Sequence, residues 1–253
     1  MKITFLGTGT SQGVPMIGCD CPVCRSANPK DKRLRSSIWI QNEDTSVVID
    51  TGPDFRYQML RAHVRHIDGI LYTHEHKDHV AGLDDVRAYN FWSKQDMNLY
   101  ANAGTEAIIR KEFHYAFAKE PYPGVPQLNI IPLHGQDVII GSLRFQTIKV
   151  LHYKLEVYGF RVGDFTYITD ANYIAPEEMD KIRGTKVLVL NALRYEKHIS
   201  HFTVPEAVAI AQEINADQTY FTHMSHQVGL HDEVNASLPP KIALAYDQLC
   251  IEI

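Results

Sequence analysis

The sequence predicts an α+β domain. β-type runs bounded by turn residues recur from one end of the chain to the other, and helical patterns lie between several of them. Composition agrees: the 253 residues are 45% hydrophobic and 22% charged, with a net charge of −5, which excludes disorder as the main state.

Taken in order, strand patterns stand at residues 2–6, 37–41 and 46–49, followed by a buried-type apolar run at 69–72. A helix is expected over 105–118, where Ile108, Ile109, Phe113 and Phe117 recur at helical spacing. Pro121-Tyr122-Pro123-Gly124-Val125-Pro126 reads as a surface loop, because strand patterns continue on both sides of it without a change in composition. Further strands are expected at 143–150, 158–162, 165–168, 186–190, 219–222 and 249–253, with a short helix at 176–182. The clearest helix start is Thr203-Val204-Pro205-Glu206, which has the capping-box form and is followed by Ala207, Ile210, Ala211 and Ile214 on one face. Residues 1–253 are therefore read as a single domain, with a cysteine-bearing loop at 18–26.

Composition also limits partners and place. No apolar run approaches the roughly 18–20 residues of a membrane span, and the apolar start, Ile3 to Leu6, is too short for a secretory signal, so a cytoplasmic protein without membrane contact is expected. The acidic balance argues against a grip on long nucleic acid, which needs many Lys and Arg against phosphates. Small charged substrates stay open.

The stretch Thr73-His74-Glu75-His76-Lys77-Asp78-His79 follows the strand pattern at 69–72. In extended backbone alternate side chains share a face, so His74, His76 and Asp78 are expected to converge, with His79 added as the chain turns. Imidazole and carboxylate suit zinc, manganese or iron, and so many donors exceed the needs of one catalytic ion with open positions. Two ions need more ligands. His152, Asp170 and His223 each end a predicted strand; each alone reads as a satisfied polar residue, and together with the first motif they complete a dinuclear set. Cys19, Cys21 and Cys24 form a separate group, one ligand short of a closed tetrahedral site. His226 is the expected fourth donor for zinc, with Cys250 as competitor and an iron–sulfur cluster as the alternative.

The order His-x-His-x-Asp-His, then a lone His, a lone Asp and a lone His, resembles the metallo-β-lactamase superfamily, and Asp50-Thr51-Gly52 is similar to that family's early Asp motif. The resemblance implies a four-layered αβ/βα sandwich with metals at one edge between two sheets. It implies that His74, His76 and His152 hold one ion, that Asp78, His79 and His223 hold the other, and that Asp170 bridges them. Two zinc or manganese ions would activate a shared water, so hydroxide is the expected nucleophile and no Ser or Cys nucleophile is required.

The cysteine loop, His223-x-x-His226 and the opening Gly7-Thr8-Gly9-Thr10-Ser11-Gln12-Gly13 narrow the likeness to the phosphodiesterases of the carbon–phosphorus lyase pathway, a branch with a structural zinc. That resemblance implies hydrolysis of small phosphodiesters, cyclic ones above all, by a homodimer. It gives His201 the role of general acid at the phosphate, beside Asp78, and the helix start after His201 offers N–H groups to an anion. His198 is weighed as a surface residue, Arg56 and Arg87 as partners in helix-surface ion pairs, and Lys30 to Arg35 as a solvated loop. The competing readings are a tRNA 3′-processing nuclease, a thioester or lactam hydrolase, and a non-hydrolytic binding protein on the same fold. Retention of all seven dinuclear donors weighs against the last.

Overall fold

The computed structural model describes residues 1–253 and contains two facing sheets. The first is built from β1 (Lys2–Gly7), β2 (Ser37–Gln41), β3 (Ser46–Ile49), β4 (Gly69–Leu71), β5 (Met97–Ala101) and β6 (Leu128–Pro132). The second comprises β7 (Val138–Ile140), β8 (Leu143–His152), β9 (Leu155–Val162), β10 (Phe165–Tyr167), β11 (Tyr173–Ile174), β12 (Val187–Asn191), β13 (Gln218–Thr222) and β14 (Ile242–Leu244). The chain then returns to the first sheet as β15 (Cys250–Glu252), antiparallel to β1.

Alternation along the strands divides the apolar side chains among three cores. On β3, Val47 and Ile49 point between the sheets and Val48 points outward; on β12, Val189 points between them and Leu188 and Leu190 outward. Phe5, Phe145, Phe160, Phe165 and Tyr167 fill the space between the sheets. The outward faces require cover, and helices supply it. After α1 (Pro22–Arg25) in the cysteine loop come α2 (Phe55–Arg61), α3 (Lys77–Val80), α4 (Arg87–Ser93) and α5 (Ala103–Glu112), which bury Phe55, Met59, Val80 and Ile109 against the first sheet. On the other side α6 (Pro176–Ile182), α7 (Val204–Ile214) and α8 (His231–Ser237) bury Met179, Ala207, Ala211 and Val234 against the second. Helix, sheet, sheet, helix is the expected four-layered α+β sandwich.

Strand direction decides where chemistry can collect. β8 and β10 are both antiparallel to β9, and β10, β12 and β13 are mutually parallel, so β8, β10, β12 and β13 run the same way. Their C-terminal ends, leading to His152, Asp170, Asn191 and His223, therefore fall at one edge of the second sheet. β3 and β4 are likewise parallel, and their ends deliver Asp50 and Thr73-His74. Gly52 permits the final approach on that side, since a Cβ there would lie 2.1 Å from the Asp78 carbonyl oxygen.

Several elements differ from expectation. The helix expected over 105–118 begins and ends earlier, as α5, and yields to a separate 3₁₀ turn at His114–Phe117. Segment 121–126 is a loop, as expected, but β5, β6, β14, α2, α4 and α8 add to the sequence reading. The basic run at 30–35 is not a solvated loop. Arg33 is buried, donating to Thr8 Oγ1 at 2.9 Å and to the Ala245 carbonyl at 2.7 Å, with His231 Nδ1 at 3.1 Å. Around it, Asp247 accepts from Thr8, the Leu34 amide and Arg61, and Asp31 accepts from the His231 amide. Burial pushes the Arg33 guanidinium down to about 10, against the opposing charges of Asp247 and Asp31. It remains a cation that ties the N-terminal loop to the C-terminal segment. Arg33→Ala leaves Thr8 Oγ1 and the Ala245 carbonyl without their buried donor, so urea unfolding is expected to show a loss of about 1–3 kcal/mol.

Candidate metal centre

The first donor group is His74, His76 and His152, whose ligand atoms lie within 4.8 Å of one another. His74 follows β4 directly and His152 ends β8, so the group joins the two sheets. Ser200 and Thr73 fix the rings: the Ser200 carbonyl is 2.8 Å from His152 Nδ1, and Thr73 Oγ1 is 3.0 Å from His74 Nδ1. A proton on His152 Nδ1, donated to the carbonyl, leaves Nε2 as the ligating atom.

Asp78, His79, Asp170 and His223 form the second group under the same 4.8 Å limit. Here the local expectation needs correction. Residues 74–79 are not one extended segment sharing a face: His76 is the N-cap of α3, and Asp78 and His79 lie in that short helix. The turn divides the motif, sending His74 and His76 to one group and Asp78 and His79 to the other.

Asp170 is common ground. Its Oδ2 lies 3.3 Å from His79 Nε2 and 3.2 Å from His223 Nδ1, its Oδ1 lies 3.9 Å from His201 Nδ1, and it also groups with His152 and His201. Burial works against its charge, but His223 and His79 outweigh that and hold the carboxyl well below the usual range. Burial also disfavours the His79 cation, and the surrounding Asp78, Asp170 and Asp50 raise it nonetheless. Fully buried His74 is driven far below its ordinary value, first by desolvation and then by the neighbouring His79.

These side chains fit metal ions by a test independent of sequence likeness. His74 Nε2, His79 Nε2 and His223 Nδ1 are buried atoms without a hydrogen-bond partner, and all belong to the donor groups. Buried polar atoms are seldom left so; a divalent cation satisfies them and offsets the carboxylates. The backbone is strained at the same place, since Asp50, Asp170 and His223 have φ of 66°, 54° and 55°, a left-handed region unusual for side-chain-bearing residues.

Supporting residues were only partly visible beforehand. Asp50 accepts from the Thr73 amide and hydroxyl, each at 2.9 Å, and lies 2.7 Å from His79 Nδ1, so it turns His79 Nε2 toward the centre. Asn191 grips the backbone after Asp170 with both amide atoms, at 2.8 and 2.9 Å from Ala171. Ser200 gave no sequence signal; Asn191 gave a faint one, as the polar residue closing an apolar run.

The cysteine group also assembles. Cys19, Cys21, Cys24 and His226 have donor atoms within 4.8 Å, and His226 Nδ1 lies 3.5 Å from Cys19 and 3.2 Å from Cys21. The Cys24 amide and His226 bring the Cys21 thiol down to about 6, whereas burial pushes Cys24 up to about 11. Cys250 is not a competitor: it sits on β15, exposed, beside Thr4.

Other expected contacts resolve unevenly. Arg87 pairs with Asp84 at 3.4 Å, as weighed, while Arg56 lines a groove between α2 and α4 with Trp92 instead of forming an ion pair. Gly7 and Gly9 serve close packing, since Cβ atoms there would stand 2.0 Å from the Arg35 carbonyl and 2.9 Å from Arg33. The start of α7 is closed to anions. Val204 N–H donates to the Arg194 carbonyl, residue 205 is proline, and Glu206 N–H donates to Thr203 Oγ1, with the Glu206 carboxylate completing the box.

The fold and these donor groups define a metal-dependent hydrolase. The family model described as "Beta-lactamase superfamily domain" matches residues 45–224, and the chain belongs to that superfamily. Within it the chain is PhnP-like. A crystal structure titled as that of a new diphosphatase from the PhnP family matches with TM-score 0.94 and 42% identity, covering 100% of this chain and 96% of that one. Zinc-bound PqqB from Methylobacterium extorquens matches with TM-score 0.82 at 18% identity over 100% of both chains, a likeness of fold alone. An octanoyltransferase of Porphyromonas gingivalis is 38% identical over 252 residues, 98% of this chain and 51% of that protein. Coenzyme PQQ synthesis protein B of Methylobacterium radiotolerans is 28% identical over 160 residues, 54% of this chain and 53% of that one. In the first of these alignments the chain spans about half the length of the curated relative.

Two outcomes check the site. Asp50→Ala is expected to weaken metal binding at the His79 group by about 10- to 100-fold in competition with a chelator, with the circular dichroism spectrum retained. Cys24→Ser is expected to lose about one equivalent of bound metal by elemental assay and to lower the thermal midpoint.

Proposed function

We propose that this chain is a dinuclear phosphodiesterase that hydrolyses small phosphodiesters, cyclic ones included, with zinc or manganese on the His and Asp donors and a structural zinc on the cysteine group. The observation that carries the reading is the position of Asp170, within reach of both donor groups and of His201. His74, His76 and His152 would hold one ion, Asp78, His79 and His223 the other, with Asp170 between them. When bound, such a pair activates water near neutral pH and neutralises charge on a phosphoryl group.

The chain's own residues do the rest. His201 Nδ1 is buried without a hydrogen-bond partner and faces Asp170. Burial holds this imidazole down at about 3, so it is neutral in the resting protein. A phosphodiester anion beside it would favour uptake of a proton from solvent, and His201 would return that proton from Nδ1 to the leaving oxygen. Asp50 keeps His79 oriented, and Ser200 keeps His152 oriented.

The likeness to a PhnP-family diphosphatase at 42% identity supports phosphoryl chemistry. The octanoyltransferase name is not carried over: this chain matches about half of that protein, and no cysteine stands among the His and Asp donors.

A panel of bis-p-nitrophenyl phosphate, a 2′,3′-cyclic nucleotide, a glutathione thioester, a cephalosporin and a precursor tRNA, each with added manganese or zinc, tests the reading. Cleavage of the first two is expected; preferential cleavage of the thioester, the cephalosporin or the tRNA overturns it. His201→Ala is expected to lower kcat by about 100-fold or more with normal metal content, and unchanged turnover removes His201 from the mechanism.

A further inference from the structure

The groove between α2 and α4 contains none of the metal-binding donors, and its make-up is unlike ordinary surface. Buried Phe55, Met59 and Val64 form its floor. Half-buried Tyr89 closes one side, its hydroxyl donating to the Val64 carbonyl at 3.1 Å, and Leu60 and Trp92 stand as walls. The hollow measures about 500 Å³, inside the range of roughly 300–1,000 Å³ typical of small-molecule sites. Trp92 leaves 80% of its surface in water and Leu60 58%. Two large apolar side chains exposed across a hollow whose floor is also apolar form a continuous patch, and such patches mark places where something binds.

Charge says what kind of ligand fits. Arg61 on α2 is occupied by Asp247 at 3.1 Å, and Arg87 on α4 by Asp84 at 3.4 Å. Arg56 and Arg65, which line the hollow, form neither an ion pair nor a hydrogen bond, and Asp85 is the only acid on the lining. Burial raises the Tyr89 phenol and the Arg65 cation works against that rise, so this guanidinium stands close to the closed side of the groove. In a chain with a net charge of −5, two unpaired guanidinium groups at one apolar hollow favour an anion. Their planar forks match a carboxylate. The bounding helices have seven residues each and run only about 10 Å, no more than the width of one packed helix, so the hollow suits a single flexible chain.

We infer that the groove between α2 and α4 is a binding site for a medium-chain fatty acid, with the acyl chain between Leu60 and Trp92 over Phe55, Met59 and Val64, and the carboxylate held by Arg56 and Arg65. The inference stands apart from the phosphodiesterase reading, because no residue of the metal centre takes part.

Calorimetry on the metal-loaded full chain tests it with octanoate, hexanoate, acetate and octyltrimethylammonium. Octanoate is expected to bind about tenfold more tightly than hexanoate, since two methylene groups are lost between them, and acetate and octyltrimethylammonium are expected not to bind. Arg56→Gln and Arg65→Gln are each expected to weaken octanoate about tenfold, and Trp92→Ala to weaken it at least as much. All three residues are exposed, so the variants are expected to keep the circular dichroism spectrum and metal content of wild type. Fluorescence gives a second reading. The chain has two tryptophans, and Trp39 is half-buried and donates to Ser46 Oγ at 2.8 Å. Octanoate should therefore shift emission to the blue through Trp92, and Trp92→Phe should abolish the shift. Absence of octanoate binding, equal binding of acetate or octyltrimethylammonium, or wild-type affinity in the variants, which would place the carboxylate at the metals, overturns the inference. So does concentration-dependent self-association in sedimentation that Trp92→Ala abolishes, which would make a second copy of the chain the occupant.

Discussion

A carboxylate buried among imidazoles is the constraint on which the rest of this protein depends. Asp170 is almost wholly enclosed, stays ionised, and stands between donor groups contributed by both sheets. Such an arrangement is expensive in a low-dielectric interior unless opposite charge is brought to it. The histidines supply part of that charge when protonated, and metal ions supply it while leaving the histidines neutral. The need to enclose that pocket accounts for strands whose carboxyl ends meet at one edge, for left-handed backbone at Asp50, Asp170 and His223, and for three unpartnered imidazole nitrogens aimed inward.

The supporting shell explains how such a pocket keeps its shape. Asp50 stands behind His79, Thr73 behind His74 and Ser200 behind His152, while Asn191 clamps the chain immediately after Asp170. The same economy links the site to the rest of the molecule. Met224 exchanges backbone hydrogen bonds with Thr8 and Thr10, and Arg33 holds Thr8 from within. The N-terminal loop, its cysteines and the strand end bearing His223 are thus one mechanical unit.

The same fold serves proteins as different as PqqB and the short form of human tRNase Z, each 18% identical to this chain. Fold therefore says little about substrate. What can set the substrate is the wall around the donors. In this chain the wall includes His201 and His198 on the loop before α7, braced by Arg194, while the helix start behind them is closed by its own capping box.

The donor residues were legible because metal chemistry restricts residue type: few roles other than ligation gather His, Asp and Cys at such spacings, and local periodicity marked the strands that carry them. The Thr203 capping box was legible for the same local reason. Asp50's place behind His79, the burial of Arg33 and the partnership of Ser200 with His152 were not, because each joins residues far apart in the chain; the division of residues 74–79 between two groups followed from the family resemblance and not from local pattern. Local pattern determined which side chains this protein has available for catalysis; only the packing of two sheets face to face decided which of them meet, since direction and distance in space follow from long-range strand pairing that no short segment encodes.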